Sequence, residues 1–89
     1  MRSRIRIIAD VLQVLESSDS GVKISELVRK SNVPYVRLED IIEELIEKGL
    51  IKQVQDEEGQ KYVITQLGIK FLNEYRKFSK FAENFGLEI

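Results

Sequence analysis

Two stretches of helical apolar periodicity are separated by Ser31-Asn32-Val33-Pro34, and no single helix can run through that tetrad. Pro34 has no N–H to donate and drives Val33 into extended geometry, while its own fixed φ suits the start of a new helix. Upstream, Leu27 and Val28 form the apolar face of a helix of about two turns, with Ser25 placed to cap it and Ser31 at its end. Downstream, Leu38, Ile41, Ile42 and Leu45 recur at i, i+3, i+4 and i+7 in a helix running to Lys48, and Gly49 stands where a left-handed C-terminal residue belongs. The rest of the chain must pack around two short helices joined by a tight turn.

A first helix is predicted from Ser3 to about Ser17, since Ile5, Ile8, Leu12 and Leu15 follow spacings of 3, 4 and 3. The cluster Ser17-Ser18-Asp19-Ser20-Gly21 ends it in a loop, and Val22-Lys23-Ile24 reads as a short extended piece. Beyond Gly49, Leu50–Gln55 and Gln60–Thr65 are β-rich runs joined by the polar turn Asp56-Glu57-Glu58-Gly59, a hairpin. Thr65 then caps a fourth helix, in which Phe71, Tyr75, Phe78, Ala82 and Phe85 advance by 4, 3, 4 and 3, a coiled-coil period. The expected class is mainly α with a small β-hairpin, and no internal repeat interrupts it.

A chain of 89 residues that is 43% apolar supports one compact core. The expected division is a main unit over 1–66 and a C-terminal helical unit over 67–89. Without Cys or His, neither a thiolate or imidazole metal site nor a His-based triad can be built, and no glycine-rich phosphate loop is present. No enzyme, cofactor or metal is therefore expected. No apolar run approaches the roughly 20 residues of a spanning helix, and the apolar stretch after the arginine-rich start is cut short by Asp10, so a cytoplasmic protein without a membrane partner is expected.

The net charge of −1 is unlike a protein coated for polyanion binding. Its distribution is uneven, at +3 over residues 1–8, +2 over 21–33 and −3 over 34–48. Arg2, Arg4 and Arg6, with Lys23, Arg29 and Lys30, supply six cations for phosphates if they share a face; a solvated basic end is the plainer reading of the same cluster.

Three segments carry a resemblance: Arg2-Ser3-Arg4-Ile5-Arg6-Ile7-Ile8-Ala9-Asp10-Val11-Leu12, Leu45-Ile46-Glu47-Lys48-Gly49-Leu50-Ile51, and Tyr62-Val63-Ile64-Thr65-Gln66-Leu67-Gly68 followed by Phe71-Leu72-Asn73-Glu74-Tyr75. Together they resemble small archaeal winged helix-turn-helix proteins described as predicted transcription regulators, and the related small coiled-coil DNA-binding chromatin proteins. The order helix, helix, turn, helix, hairpin, long helix is that of a winged helix-turn-helix with an added C-terminal helix. The resemblance implies a homodimer joined by antiparallel packing of that helix, presenting its winged helices to double-stranded DNA as a regulator or nucleoid-associated protein.

In such a fold the start of the third helix meets the major groove. Here Val36, Asp40, Glu43 and Glu47 point away from the apolar face, with Arg37 and Glu44 flanking, so the outward stripe turns acidic after one turn. Shallow docking through Tyr35 and Arg37 is the expected mode; the plainer alternative packs Tyr35 on the core edge and pairs Arg37 with Asp40. The acidic hairpin tip repels phosphate, leaving only its flanks, Lys52 and Lys61, for contact. On the fourth helix Phe71 and Tyr75 begin a stripe that continues through Phe78, Phe81, Ala82 and Phe85, expected at a dimer interface. The competing function is a protein-interaction adaptor without DNA binding, which tolerates Asp40, Glu43 and Glu58 more easily than a groove reader does.

Overall fold

The computed structural model describes residues 2–89; the first residue of the expected 1–66 unit lies outside them. The order is α1 (Arg4–Glu16), α2 (Ile24–Ser31), α3 (Tyr35–Glu47), β1 (Ile51–Asp56), β2 (Gly59–Ile64) and α4 (Gln66–Glu83). Helix α1 opens on Ser3, whose Oγ accepts from the Arg6 N–H, and α4 opens on Thr65, whose Oγ1 accepts from the Gly68 N–H.

Helix α2 starts earlier than predicted. Its N-cap is Lys23, which gives no side-chain cap, and Ser25 lies inside the helix. The cause is tertiary: Val22 exchanges two backbone hydrogen bonds of 2.9 Å with Tyr62, a one-residue bridge that lays the short extended piece beside β2 and fixes where the helix begins. The turn to α3 is made by Asn32 in the left-handed region (φ 58°), with Pro34 as the N-cap of α3 rather than a residue of its first turn.

Helix α3 ends as its glycine predicted. Gly49 (φ 76°) lets its own N–H bond the Ile46 carbonyl and the Leu50 N–H bond the Leu45 carbonyl, closing the exposed end of the helix. The hairpin is tighter than predicted: Asp56 pairs with Gly59, so only Glu57 and Glu58 form the turn, and Asp56 accepts from the Glu58 N–H at 2.8 Å.

One core joins all helices, with Leu12 and Leu15 of α1, Leu27 of α2, Leu38, Ile41 and Leu45 of α3, Ile51 of β1 and Leu72 of α4 each at most 2% exposed. The first half of α4 thus belongs to the same core as residues 2–66, and Arg76 reinforces it through Glu16 of α1 at 2.9 Å. The second half carries Phe78 and Phe81, each 57% exposed, whereas Phe85, 68% exposed, lies past the Asn84 C-cap in the closing turn and not on the helix, which is shorter than its apolar spacing predicts. Among the described residues no helix is long and apolar enough to cross a membrane.

Candidate nucleic-acid interface

The structure divides the predicted cations by what they already hold. Arg2 is a clamp within the fold: its Nη1 donates to Asp10 (2.8 Å) and to the Ser31 carbonyl (2.9 Å), and its Nη2 to the Asn32 carbonyl (2.8 Å). Partly shielded charge-assisted bonds are worth on the order of 1.5–3 kcal/mol each, against up to about 1 kcal/mol for one exposed ion pair, so Arg2 stays with the α2–α3 turn. Arg4 pairs with Glu44 of α3 at 2.8 Å, and Lys30 with Glu26 one turn back at 2.7 Å.

Lys61 is the most committed of all. Its side chain is 10% exposed and lies between Glu58 (2.6 Å) and Asp56 (3.1 Å), neutralising part of the hairpin tip. Those contacts hold the ammonium charged to higher pH than usual, chiefly through Glu58 and then Asp56; in turn the Lys61 ammonium, and after it the bond accepted from the Glu58 N–H, hold the Asp56 carboxyl below its ordinary value of 3.8.

A carboxyl depressed by folding contributes stability that is complete above its unfolded pKa and is lost as pH falls through the folded value. The urea stability of Asp56→Asn is therefore expected to fall below that of the parent at neutral pH, with the gap closing as pH drops below 3.8. A gap that widens on acidification contradicts this ion pair.

Arg6, Lys23, Arg29, Arg37 and Lys52 make no ion pair among the described residues, and Arg37 does not pair with Asp40. Lys23 is the N-cap of α2, Arg29 lies on α2 and Arg37 in the first turn of α3, whereas Arg6 lies beside Glu88 and Ile89 and Lys52 is exposed on β1. Tyr35 is 51% and Val36 74% exposed, so Tyr35 is not a core-edge residue. The two helices of the turn thus present free cations and an open N-terminal turn, while Arg6 and Lys52 stand apart.

Between α3, β2 and the start of α2 runs a groove of about 410 Å³. Ile24, Ile42 and Ile46 give it an apolar floor, Tyr35 and Tyr62 line it, and Glu39 and Glu43 form its α3 wall. Glu39 was not singled out from the sequence; its i, i+4 spacing from Glu43 is the signal that places both on one side of the helix.

Of the residues expected at a dimer interface, Phe71 and Tyr75 are half-buried against the chain's own core. Ala82 is 5% exposed, its carbonyl accepting from the Leu87 N–H where Gly86 turns the chain back. Phe78, Phe81 and Phe85 form an outward ridge, with ring centroids 6.5 Å and 5.1 Å apart.

The family model for the winged helix-turn-helix matches residues 1–83. The chain belongs to the winged helix-turn-helix family. In its winged helix, α2 and α3 are the helix-turn-helix pair and β1–β2 the wing. No curated protein matches the sequence.

Among solved structures, Sso10a-2, a DNA-binding protein from Sulfolobus solfataricus, aligns with a TM-score of 0.79 at 20% identity, covering 94% of this chain and 85% of that one. A MarR-family transcriptional regulator from Silicibacter pomeroyi aligns with a TM-score of 0.70 at 20% identity, over 76% of this chain and 47% of its own. A mutant of S. aureus MepR bound to an oligodeoxyribonucleotide aligns with a TM-score of 0.75 at 16% identity, over 89% and 60%. This chain thus spans about half to three fifths of the length of the latter two. At these identities the likeness is one of fold.

Proposed function

We propose that this chain is a homodimeric, cytoplasmic double-stranded DNA-binding protein, a transcription regulator or nucleoid-associated protein whose role is binding and not catalysis. The observation that carries the proposal is the open first turn of α3, with Tyr35 exposed, beside Lys23 at the N-cap of α2 and Arg29 on it; Lys23, Arg29 and Arg37 make no ion pair among the described residues. In a helix-turn-helix, α2 crosses the phosphate backbone and the start of α3 reaches base edges. The DNA-binding description of Sso10a-2 and the oligonucleotide-bound MepR support the same reading. Arg6 and Lys52 serve as peripheral phosphate contacts.

Docking is shallow. Asp40, Glu43 and Glu47 follow the first turn of α3, and each phosphate brought near one of them costs on the order of 1 kcal/mol in partly excluded water. Paired cations contribute little, because a phosphate must first displace a carboxylate.

Fluorescence anisotropy with a duplex at low salt tests this. Arg37→Ala is expected to weaken binding by about 1–3 kcal/mol, and Arg29→Ala to reduce the salt dependence by about one counterion. Lys30→Ala, next along the helix but held by Glu26, is expected to change it far less. A parent protein that binds no duplex at low salt, or equal losses for Arg29 and Lys30, sinks the proposal.

A further inference from the structure

The groove between α3 and the wing has properties that duplex recognition leaves unused. Its floor is apolar and partly open, Ile46 being 38% exposed. Its α3 wall is anionic: Glu39 and Glu43 make no ion pair among the described residues, and neither Lys nor Arg lines the groove.

The carboxylates are kept at a cost to the helix that bears them. Glu39, Glu43 and Glu47 repeat at i, i+4, a like-charge pattern that destabilises a helix. Glu43 and Glu47 lie in the C-terminal half of α3, where negative charge opposes the macrodipole; the last turn holds no basic residue, and the first to follow is the C-cap, Lys48. Of the α3 carboxylates, only Glu44, outside the groove, is in an ion pair among the described residues, with Arg4. Phosphates seated in the groove would meet two carboxylates that hold no ion-pair partner among the described residues, whereas cations would relieve the repulsion between them.

We propose that this groove is the docking site for a basic amphipathic segment of a protein partner, with two Arg or Lys one helical turn apart facing Glu39 and Glu43 and apolar side chains on the Ile42–Ile46 floor. Charge complementarity selects the partner and the apolar floor holds it. Tyr35 borders both this groove and the proposed duplex contact, so the segment and the duplex exclude one another there. That last consequence rests on the DNA-binding proposal; occupation of the groove does not.

The experiment is an amide chemical-shift titration of the nitrogen-15-labelled protein with a helical peptide bearing arginines at i and i+4 and leucines at i+3 and i+7. Its twin replaces both arginines by glutamine. The arginine peptide is expected to shift Tyr35, Glu39, Glu43 and Gln60 saturably, the twin not to do so, and added salt to weaken the effect. Glu39→Gln with Glu43→Gln, both exposed positions, is expected to weaken binding about tenfold.

Equal binding by the twin or by the double variant overturns the proposal, as does a shift map centred on the Phe78–Phe85 ridge. A duplex that shifts Glu43 and Gln60 as the peptide does also overturns it, by making the groove a nucleic-acid site. Peptide binding without any duplex binding sinks the DNA proposal and upholds this one; duplex binding at Lys23, Arg29 and Arg37 with no peptide binding does the reverse.

Discussion

Replacing Gly68 by alanine is expected to lower the unfolding free energy by about 3 kcal/mol, at the upper end of ordinary overpacking. A Cβ at this position would stand 2.1 Å from the Leu50 carbonyl oxygen, 2.7 Å from Ile64 Cγ1 and 3.1 Å from the Leu50 carbonyl carbon. Two of those neighbours are backbone, so no rotamer change relieves the clash. The first turn of α4 must withdraw.

Withdrawal strains a compact junction. Thr65 donates its N–H to Leu50 O (3.1 Å) and its Oγ1–H to Gly49 O (2.7 Å), tying the start of α4 to the end of α3 and the approach to β1. It also loosens Leu72, one turn further into the core. Against this, alanine gains about 1 kcal/mol of helix propensity over glycine, which offsets only part of the loss. For a domain of this size the midpoint of thermal unfolding is expected to fall by on the order of 15 °C. Calorimetry or circular dichroism decides it, and a variant within about 0.5 kcal/mol of the parent removes the close approach from the account.

The origin of Gly68 also shows what was legible before the structure. A glycine three residues after a good N-cap, inside an apolar helical pattern, is a local anomaly that asks for a packing reason. The sequence shows the anomaly, but the carbonyl that requires it belongs to Leu50, 18 positions earlier. The helix breaks at Pro34, Gly49 and Thr65 were readable because each acts through its own backbone. The start of α2 was not, since the Val22–Tyr62 bridge spans 40 positions and overrides the local preference of Ser25 for capping. The turn was read as four residues because Asp56 and Gly59 are turn-forming types; the pairing that makes them strand ends is a cross-strand event.

Charge was legible as composition and illegible as availability. Arg4 and Glu44 lie 40 positions apart and Arg76 and Glu16 60, so no periodicity announces either pair. The sequence offered Arg29 and Lys30 as equals, yet Lys30 is held by Glu26 and Arg29 is not. Helix periodicity did place the acidic stripe of α3 correctly, because exposure on a helix with a well-defined apolar face follows from 100° per residue. Its closure into a groove depended on β2 and was visible only in three dimensions.

Phe78→Glu with Phe85→Glu is expected to leave the protein folded and monomeric, and the parent is expected to sediment as a dimer. Phe78, Phe81 and Phe85 are more than half exposed, and Leu87, 61% exposed, follows them. In the proposed dimer, antiparallel α4 helices crossing between Phe81 and Ala82 would bring Phe78 of each protomer towards the Phe85 turn that follows the other helix, with Phe81 at the middle. Full burial of a phenylalanine is worth roughly 1.5–3 kcal/mol. For rings already part-covered, about half of that across six rings is on the order of 4–9 kcal/mol, which falls within the range estimated for the entropic cost of association. The proposed dimer would therefore depend on keeping nearly all six rings. Two substitutions per protomer remove four and place four carboxylates in the seam, where charge without a partner is costly. Because these rings lie outside the core of Leu12, Leu45 and Leu72, the melting of the monomeric variant is expected to remain cooperative. Analytical ultracentrifugation separates the outcomes: a parent that is monomeric at tens of micromolar, or a double variant that still dimerises, places the subunit contact elsewhere or nowhere, and returns the exposed phenylalanines to the surface as unexplained.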